Sequence, residues 1–187
     1  MKITSLLAAA AATAALTVMG SAFAADKAQK QAEVRKATQA SLEKFYKERP
    51  ALKNEVGGAP GYAVFTTYGV SFIVGGGGGT GLAHDNASKK DWYMNMGKAS
   101  AGLQVGLAQQ DTLIVFKSQK ALQQFVDKGW EFGGGGAISA GAGGHTAGGG
   151  TGEQTIADAM TYTLTKNGLD VGGALQGSKF WKDKDLN

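Results

Sequence analysis

Glycine is the feature that most constrains this chain: 30 of its 187 residues are Gly, against only two Pro. Glycine weakens helices and strands alike unless a fold needs backbone without Cβ. No G-X-Y period is present, which excludes collagen. At 43% hydrophobic and 18% charged residues, the chain is neither a disordered tail nor a membrane bundle. The glycines must therefore serve turns, bulges and close backbone contacts inside a folded body. Cysteine is absent, and His84 and His145 are the only histidines. Disulfides, thiolate nucleophiles, acyl-cysteine anchors and three-histidine metal sites are excluded.

The first segment reads as an address. Lys2 precedes an apolar run rich in Ala and Leu, and Ala22-Phe23-Ala24 forms an A-x-A cleavage site. The run is too short and too interrupted by Thr and Ser for a membrane span. Residues 1–24 are expected to be a cleaved signal peptide, leaving 25–187 as one exported domain, periplasmic and at most peripheral to a membrane. That compartment lacks ATP, which disfavours nucleotide-driven work.

Charge is uneven. Residues 26–49 hold seven basic side chains (Lys27, Lys30, Arg35, Lys36, Lys44, Lys47, Arg49) against four acidic ones, while residues 50–187 balance to zero. The excess belongs to one arm, which argues against a nucleic-acid-binding body. Free of Gly and Pro until Pro50, this arm (25–50) is predicted to be a basic N-terminal helix. Val34, Thr38, Ser41, Leu42 and Phe45 recur at helical spacing as a narrow apolar stripe. Two readings remain: the helix lies on an anionic surface, or its stripe docks on the domain while its charges face solvent.

The body (51–187) reads as strands and glycine. Gly61-Tyr62-Ala63-Val64-Phe65-Thr66 and Val70-Ser71-Phe72-Ile73-Val74 suggest a hairpin, with the glycine run of residues 75–79 after it. Residues 100–109 alternate large and small, so one face of that segment admits close contact. Thr112-Leu113-Ile114-Val115-Phe116 is a buried run. Ser118 is placed to cap a short internal helix through Ala121, Leu122, Phe125 and Val126, stopped by Gly129. A second small-residue tract spans 133–150. Asn167-Gly168 between alternating runs signals another hairpin. The expected class is α+β: an N-terminal helix, glycine-rich antiparallel β-sheets forming a sandwich or barrel-like body, and one short internal helix.

Catalytic patterns fail on inspection. Gly76-x-Gly78-x-x-Gly81 follows a strand, but no helix starts there to face a pyrophosphate. His84 beside Asp85 lacks a G-x-S-x-G elbow, and neighbours in a strand point to opposite faces. Asp85 with Asp91, and Asp183 with Asp185, offer carboxylates without an inferable pocket. No catalytic residue, metal ligand or cofactor is expected. Trp92, Tyr93, Met94 and Met96 beside Lys89, Lys90 and Lys98 could contact lipid or could bury alternate residues of a strand. Phe180-Trp181 among Lys179, Lys182 and Lys184 poses the same choice.

Three ordered signatures carry a resemblance. Gly61-Tyr62-Ala63-Val64-Phe65 leads to Phe72-Ile73-Val74-Gly75-Gly76 and on to Gly81. Asp91-Trp92 precedes Ser100-Ala101-Gly102-Leu103-Gln104-Val105-Gly106 and Asp111. Tyr162 precedes Lys166-x-Gly168-Leu169 and Leu175-Gln176-Gly177. Together they resemble the SYLF-domain family, whose yeast members are actin-regulator-like, and the endings around Trp130 and Trp181 resemble its exported bacterial branch. The resemblance implies a lipid-binding module rather than an enzyme, with a basic amphipathic N-terminal helix at the membrane. Thr66 stands where the family often has proline, residues 77–79 lack a basic residue, and residues 93–99 replace a Ser-x-Pro segment. The expected partner is accordingly anionic phospholipid or a membrane surface in general rather than a phosphoinositide, with no nucleic acid and no actin. The candidate lipid-binding residues are Lys27, Lys30, Arg35, Lys36, Lys89, Lys90, Trp92 and Lys98. The alternative is a structural or stress-response envelope protein that binds a protein partner.

Overall fold

The computed structural model describes residues 7–67, 76–99, 110–132, 138–140, 158–165, 168–171, 175 and 178–187. Helix α1 spans Leu7–Glu48. Its last 28 positions before Arg49 contain no Gly or Pro, and Pro50 then removes a backbone donor and ends it. A short helix α2, Leu52–Gly58, follows and buries Leu52 and Val56.

Among the described residues, nine strands form one antiparallel sheet: β1 (Gly61–Thr67), β2 (Gly76–Asp85), β3 (Asp91–Ala99), β4 (Gln110–Phe116), β5 (Trp130–Phe132), β6 (Ile138–Ala140), β7 (Ala159–Thr165), β8 (Gly168–Val171) and β9 (Ser178–Lys182). Their spatial order is β6-β5-β9-β3-β2-β1-β4-β7-β8. Helix α3 (Gln119–Lys128) lies between β4 and β5, with Ser118 Oγ accepting the Ala121 N–H at 3.2 Å as its cap. Gly129 ends it at φ 69°, where a Cβ would strike the Phe180 carbonyl. The α+β expectation holds, with one curled sheet in place of separate sheets.

Strand alternation sorts the two faces of this sheet. Ala63 and Phe65 of β1, Ala83 of β2, Trp92, Met94 and Met96 of β3, and Ile114 and Phe116 of β4 join α3 in the main core. Val64, Leu113, Val115 and Tyr162 point the other way, against Leu42 and Phe45 of α1 and against α2. The sheet closes around the first of these cores. Phe65 on β1 meets Phe180 on β9 at 4.7 Å between ring centroids, and Phe116 on β4 meets Trp130 on β5 at 5.6 Å. Two and four strands, respectively, intervene in the sheet order, so only a strongly curled, half-barrel sheet brings these rings together.

Glycine permits that curl. The run expected to follow a hairpin is instead the first half of β2, with Thr66 opposite Thr80, Thr67 opposite Gly79, and Gly78 opposite Gly97 on β3. At Gly81 a Cβ would collide with the Val64 carbonyl and the Phe65 ring. Its absence lets the Phe65 side chain lie across β2 toward α3. The expected partner run, residues 70–74, lies outside the described residues, as do residues 100–109 and, in the second glycine tract, 133–137 and 141–150. The β7–β8 hairpin is confirmed by the pairing of Thr165 with Gly168, although its tip, residues 166–167, is not described.

Candidate functional site

The stripe on α1 is buried at every predicted position: Val34, Thr38, Ser41, Leu42 and Phe45. Of the two readings of the arm, the docked one describes this structure. The helix lies along the sheet face opposite α3, and its cations reach the rest of the fold one by one.

Arg35 makes the most connected contact. Its Nε donates to the Tyr93 hydroxyl at 2.6 Å, and its guanidinium faces Asp91 Oδ2 at 3.1 Å. The hydrogen bond to Tyr93, opposed by some desolvation and aided by Asp91, raises the Arg35 pKa. Asp91 Oδ1 in turn accepts His84 Nδ1 at 2.6 Å, which places the imidazole proton on Nδ1. The His84 ring sits 5.2 Å from that of Tyr62, whose pKa is raised by burial and then by Asp91.

Asp85 is turned to the opposite side. It accepts the Ala87 and Ser88 N–H groups at 2.8 and 3.0 Å and the Gln119 amide at 2.7 Å. The Ser88 backbone bond is the main reason its pKa falls. Asp85 thus organises a turn, and the carboxylate that orients His84 is Asp91, which Arg35 covers. Asp183 also folds its own tail, accepting the Asp185 and Leu186 N–H groups and the Asn95 amide.

The other sequence-selected residues scatter around this seam. Lys27 Nζ donates to the Asn187 carbonyl at 2.8 Å. Lys30 pairs with Asp26 at 2.7 Å, both exposed, and that hydrogen bond raises the Lys30 pKa. Lys36 is exposed and lines two clefts flanking α1, of about 750 and 390 Å³. Lys89 and Lys90 are exposed in the turn between β2 and β3, with Lys89 at φ 56°. Lys90 places its ammonium 5.1 Å from the Trp92 ring. Trp92 itself is buried with Met94 and Met96 in the main core, because alternate residues of β3 face α3. Lys98 belongs to β3, but its side chain lies outside the described residues. Phe180 is core, whereas Trp181 is 42% exposed.

Sequence reasoning named Asp111 in a motif but missed its pairing with the helix. Lys44 Nζ meets Asp111 Oδ2 at 2.9 Å, with the carboxylate 4% exposed. The signal was there: one acid opening an otherwise apolar run on β4. Beneath α1, three buried oxygens have no hydrogen-bond partner among the described residues: Ser41 Oγ, Thr66 Oγ1 and Asp111 Oδ1. Thr66 and Asp111 are paired directly across β1 and β4. Among the described residues no cluster of three or more His, Asp or Glu is placed to hold a metal, and no helix is long and apolar enough to cross a membrane.

Residues 97–187 match the family model Ysc84, described as Las17-binding protein actin regulator. This is the SYLF family that the motifs resemble, a lipid-binding or actin-regulator-like family. The chain is also 29% identical over 149 residues to Beta cell expansion factor A of Aeromonas veronii. That alignment covers 78% of this chain and 54% of the relative, so the chain spans about half the length of the curated relative it matches.

Proposed function

From a chain whose C-terminal part matches the Ysc84 family, we propose an exported, non-enzymatic lipid-binding protein that rests peripherally on anionic phospholipid. The observation carrying this reading is the outward side of α1. The whole charge excess of the chain beyond residue 24 lies in residues 26–49, on a helix whose stripe is fixed to the sheet. Lys36 and Lys47 are exposed there, and Lys30 is held by an exposed pair with Asp26, a kind of contact that water and salt weaken. Each such cation contributes about 1 kcal/mol near an anionic leaflet. Residues 1–24 supply the export reading through their A-x-A site.

Co-sedimentation of the protein with neutral and anionic vesicles, at low and high salt, tests this. Binding to anionic vesicles alone, weakened by salt, is expected. Absence of binding at any salt would put the protein-partner reading ahead. That second reading has its own support: among the described residues β8 is the last strand of the sheet, and Val171 on it is 52% exposed, an edge suited to strand addition.

A further inference from the structure

Beyond its exposed lysines, the rest of what suits α1 to a bilayer is already in use. Its stripe is buried on the sheet, and Lys27, Arg35 and Lys44 are held by Asn187, Asp91 and Asp111. From this arrangement, and resting on the lipid reading above, we infer that α1 is a displaceable clasp: an anionic bilayer exchanges with the sheet for the same helix face and the same cations.

Two independent observations carry the inference. First, the seam is imperfect. Thr38 and Ser41 on the helix meet a sheet face that includes Thr66 and Asp111, all buried, and among the described residues Ser41 Oγ, Thr66 Oγ1 and Asp111 Oδ1 lack hydrogen-bond partners. A buried polar atom without a partner regains a hydrogen bond to water when the seam opens. Docking therefore carries a standing cost that undocking relieves. Second, the ties are electrostatic and substitutable. The side chains of Arg35 and Lys44 are each about half exposed while bonded to their carboxylates. A lipid phosphate can approach either cation from the solvent side and take the place of the aspartate. The stripe of Val34, Leu42 and Phe45, freed by release, then has acyl chains to enter. The bend at Pro50, between α1 and α2, lies just beyond the stripe and needs no strand to move.

Because the chain has no cysteine, one introduced thiol reports the state of the seam. Val64 lies on the α1 face and is 1% exposed, and Ile114 lies on the α3 face and is 0% exposed. Full-length Val64→Cys and Ile114→Cys are treated with a water-soluble maleimide and, separately, with an acyl-chain maleimide dissolved in the vesicles. Val115→Cys, also on the α1 face, serves if Val64→Cys does not fold. With anionic vesicles, the Val64→Cys thiol is expected to react at least about tenfold faster with one of the two reagents, while Ile114→Cys stays protected. Asp111→Asn in the Val64→Cys background is expected to raise reactivity without vesicles. Protein that pellets with vesicles while Val64→Cys stays protected from both reagents overturns the clasp and leaves lipid binding standing. Equal exposure of Ile114→Cys overturns it in favour of general unfolding. Failure to pellet overturns both the clasp and the lipid reading.

Discussion

Lys44 on α1 and Asp111 at the start of β4 meet at 2.9 Å, yet the lysine is 48% exposed and the carboxylate 4%. That inequality decides which loss costs more. Lys44→Met strands a buried carboxylate and is expected to lower stability by about 1–3 kcal/mol. Asp111→Asn removes the buried charge along with the pair and costs less, and the double variant recovers part of the Lys44→Met loss. Urea unfolding of the three variants reads these differences. A smaller loss for Lys44→Met than for Asp111→Asn would contradict the assignment.

Two glycines should respond in opposite senses to alanine. Gly57, in α2, has nothing within 4 Å of the point where a Cβ would stand, so Gly57→Ala gains up to about 1 kcal/mol from helix propensity. Gly81→Ala forces a methyl onto the Val64 carbonyl and the Phe65 ring. Its expected cost is about 1–3 kcal/mol, or failure to fold. Thermal melts of both variants compare them directly.

Alkaline titration should separate the tyrosines. Burial raises Tyr46 to about 12, and burial with the hydrogen bond to Glu55 raises Tyr162 to about 12. A raised phenol stabilises the fold fully below the unfolded value of about 10, and that contribution is lost as pH climbs toward the folded value. Absorbance near 295 nm is therefore expected to show late-ionising phenols. Tyr162→Phe removes one of them, and its stability deficit narrows as pH rises through this window.

Asp85 gives the complementary acid test. Its pKa is lowered, chiefly by the Ser88 N–H, so its contribution is present above the unfolded value of about 3.9 and fades as pH falls through the lower folded one. Asp85→Asn is expected to flatten the acid limb of a stability–pH curve. An unchanged limb would show that the turn does not depend on the charge.

How much of this was legible in the sequence depended on the range of each interaction. The stripe from Val34 to Phe45, the Ser118 cap and the Gly129 stop are local signals, and each is found where its spacing put it. Alternation on β3 offered two readings of Trp92, and burial with Met94 and Met96 selects the core. β2 was harder, because residues 76–79 have no strand propensity of their own and are held by registry with β1 and β3. α2 escaped because it is only seven residues long and ends in two glycines. The seam was invisible: Arg35 to Asp91 and Lys44 to Asp111 join residues far apart in sequence, and no local pattern pairs them. The separation of adjacent His84 and Asp85 was legible, because a strand sends neighbours to opposite faces; that Asp91 is the carboxylate beside His84 was not.

The most direct test of the account is vesicle affinity after charge reversal on the outward face of α1. Lys36→Glu with Lys47→Glu removes two exposed cations for which no partner is found among the described residues. At about 1 kcal/mol per cation, the double variant should lose at least about tenfold in binding to anionic vesicles at low salt. Lys117→Glu with Lys120→Glu, on and beside α3, should lose markedly less. Equal losses in the two pairs, or none in the first, would contradict the claim that α1 carries the membrane contact.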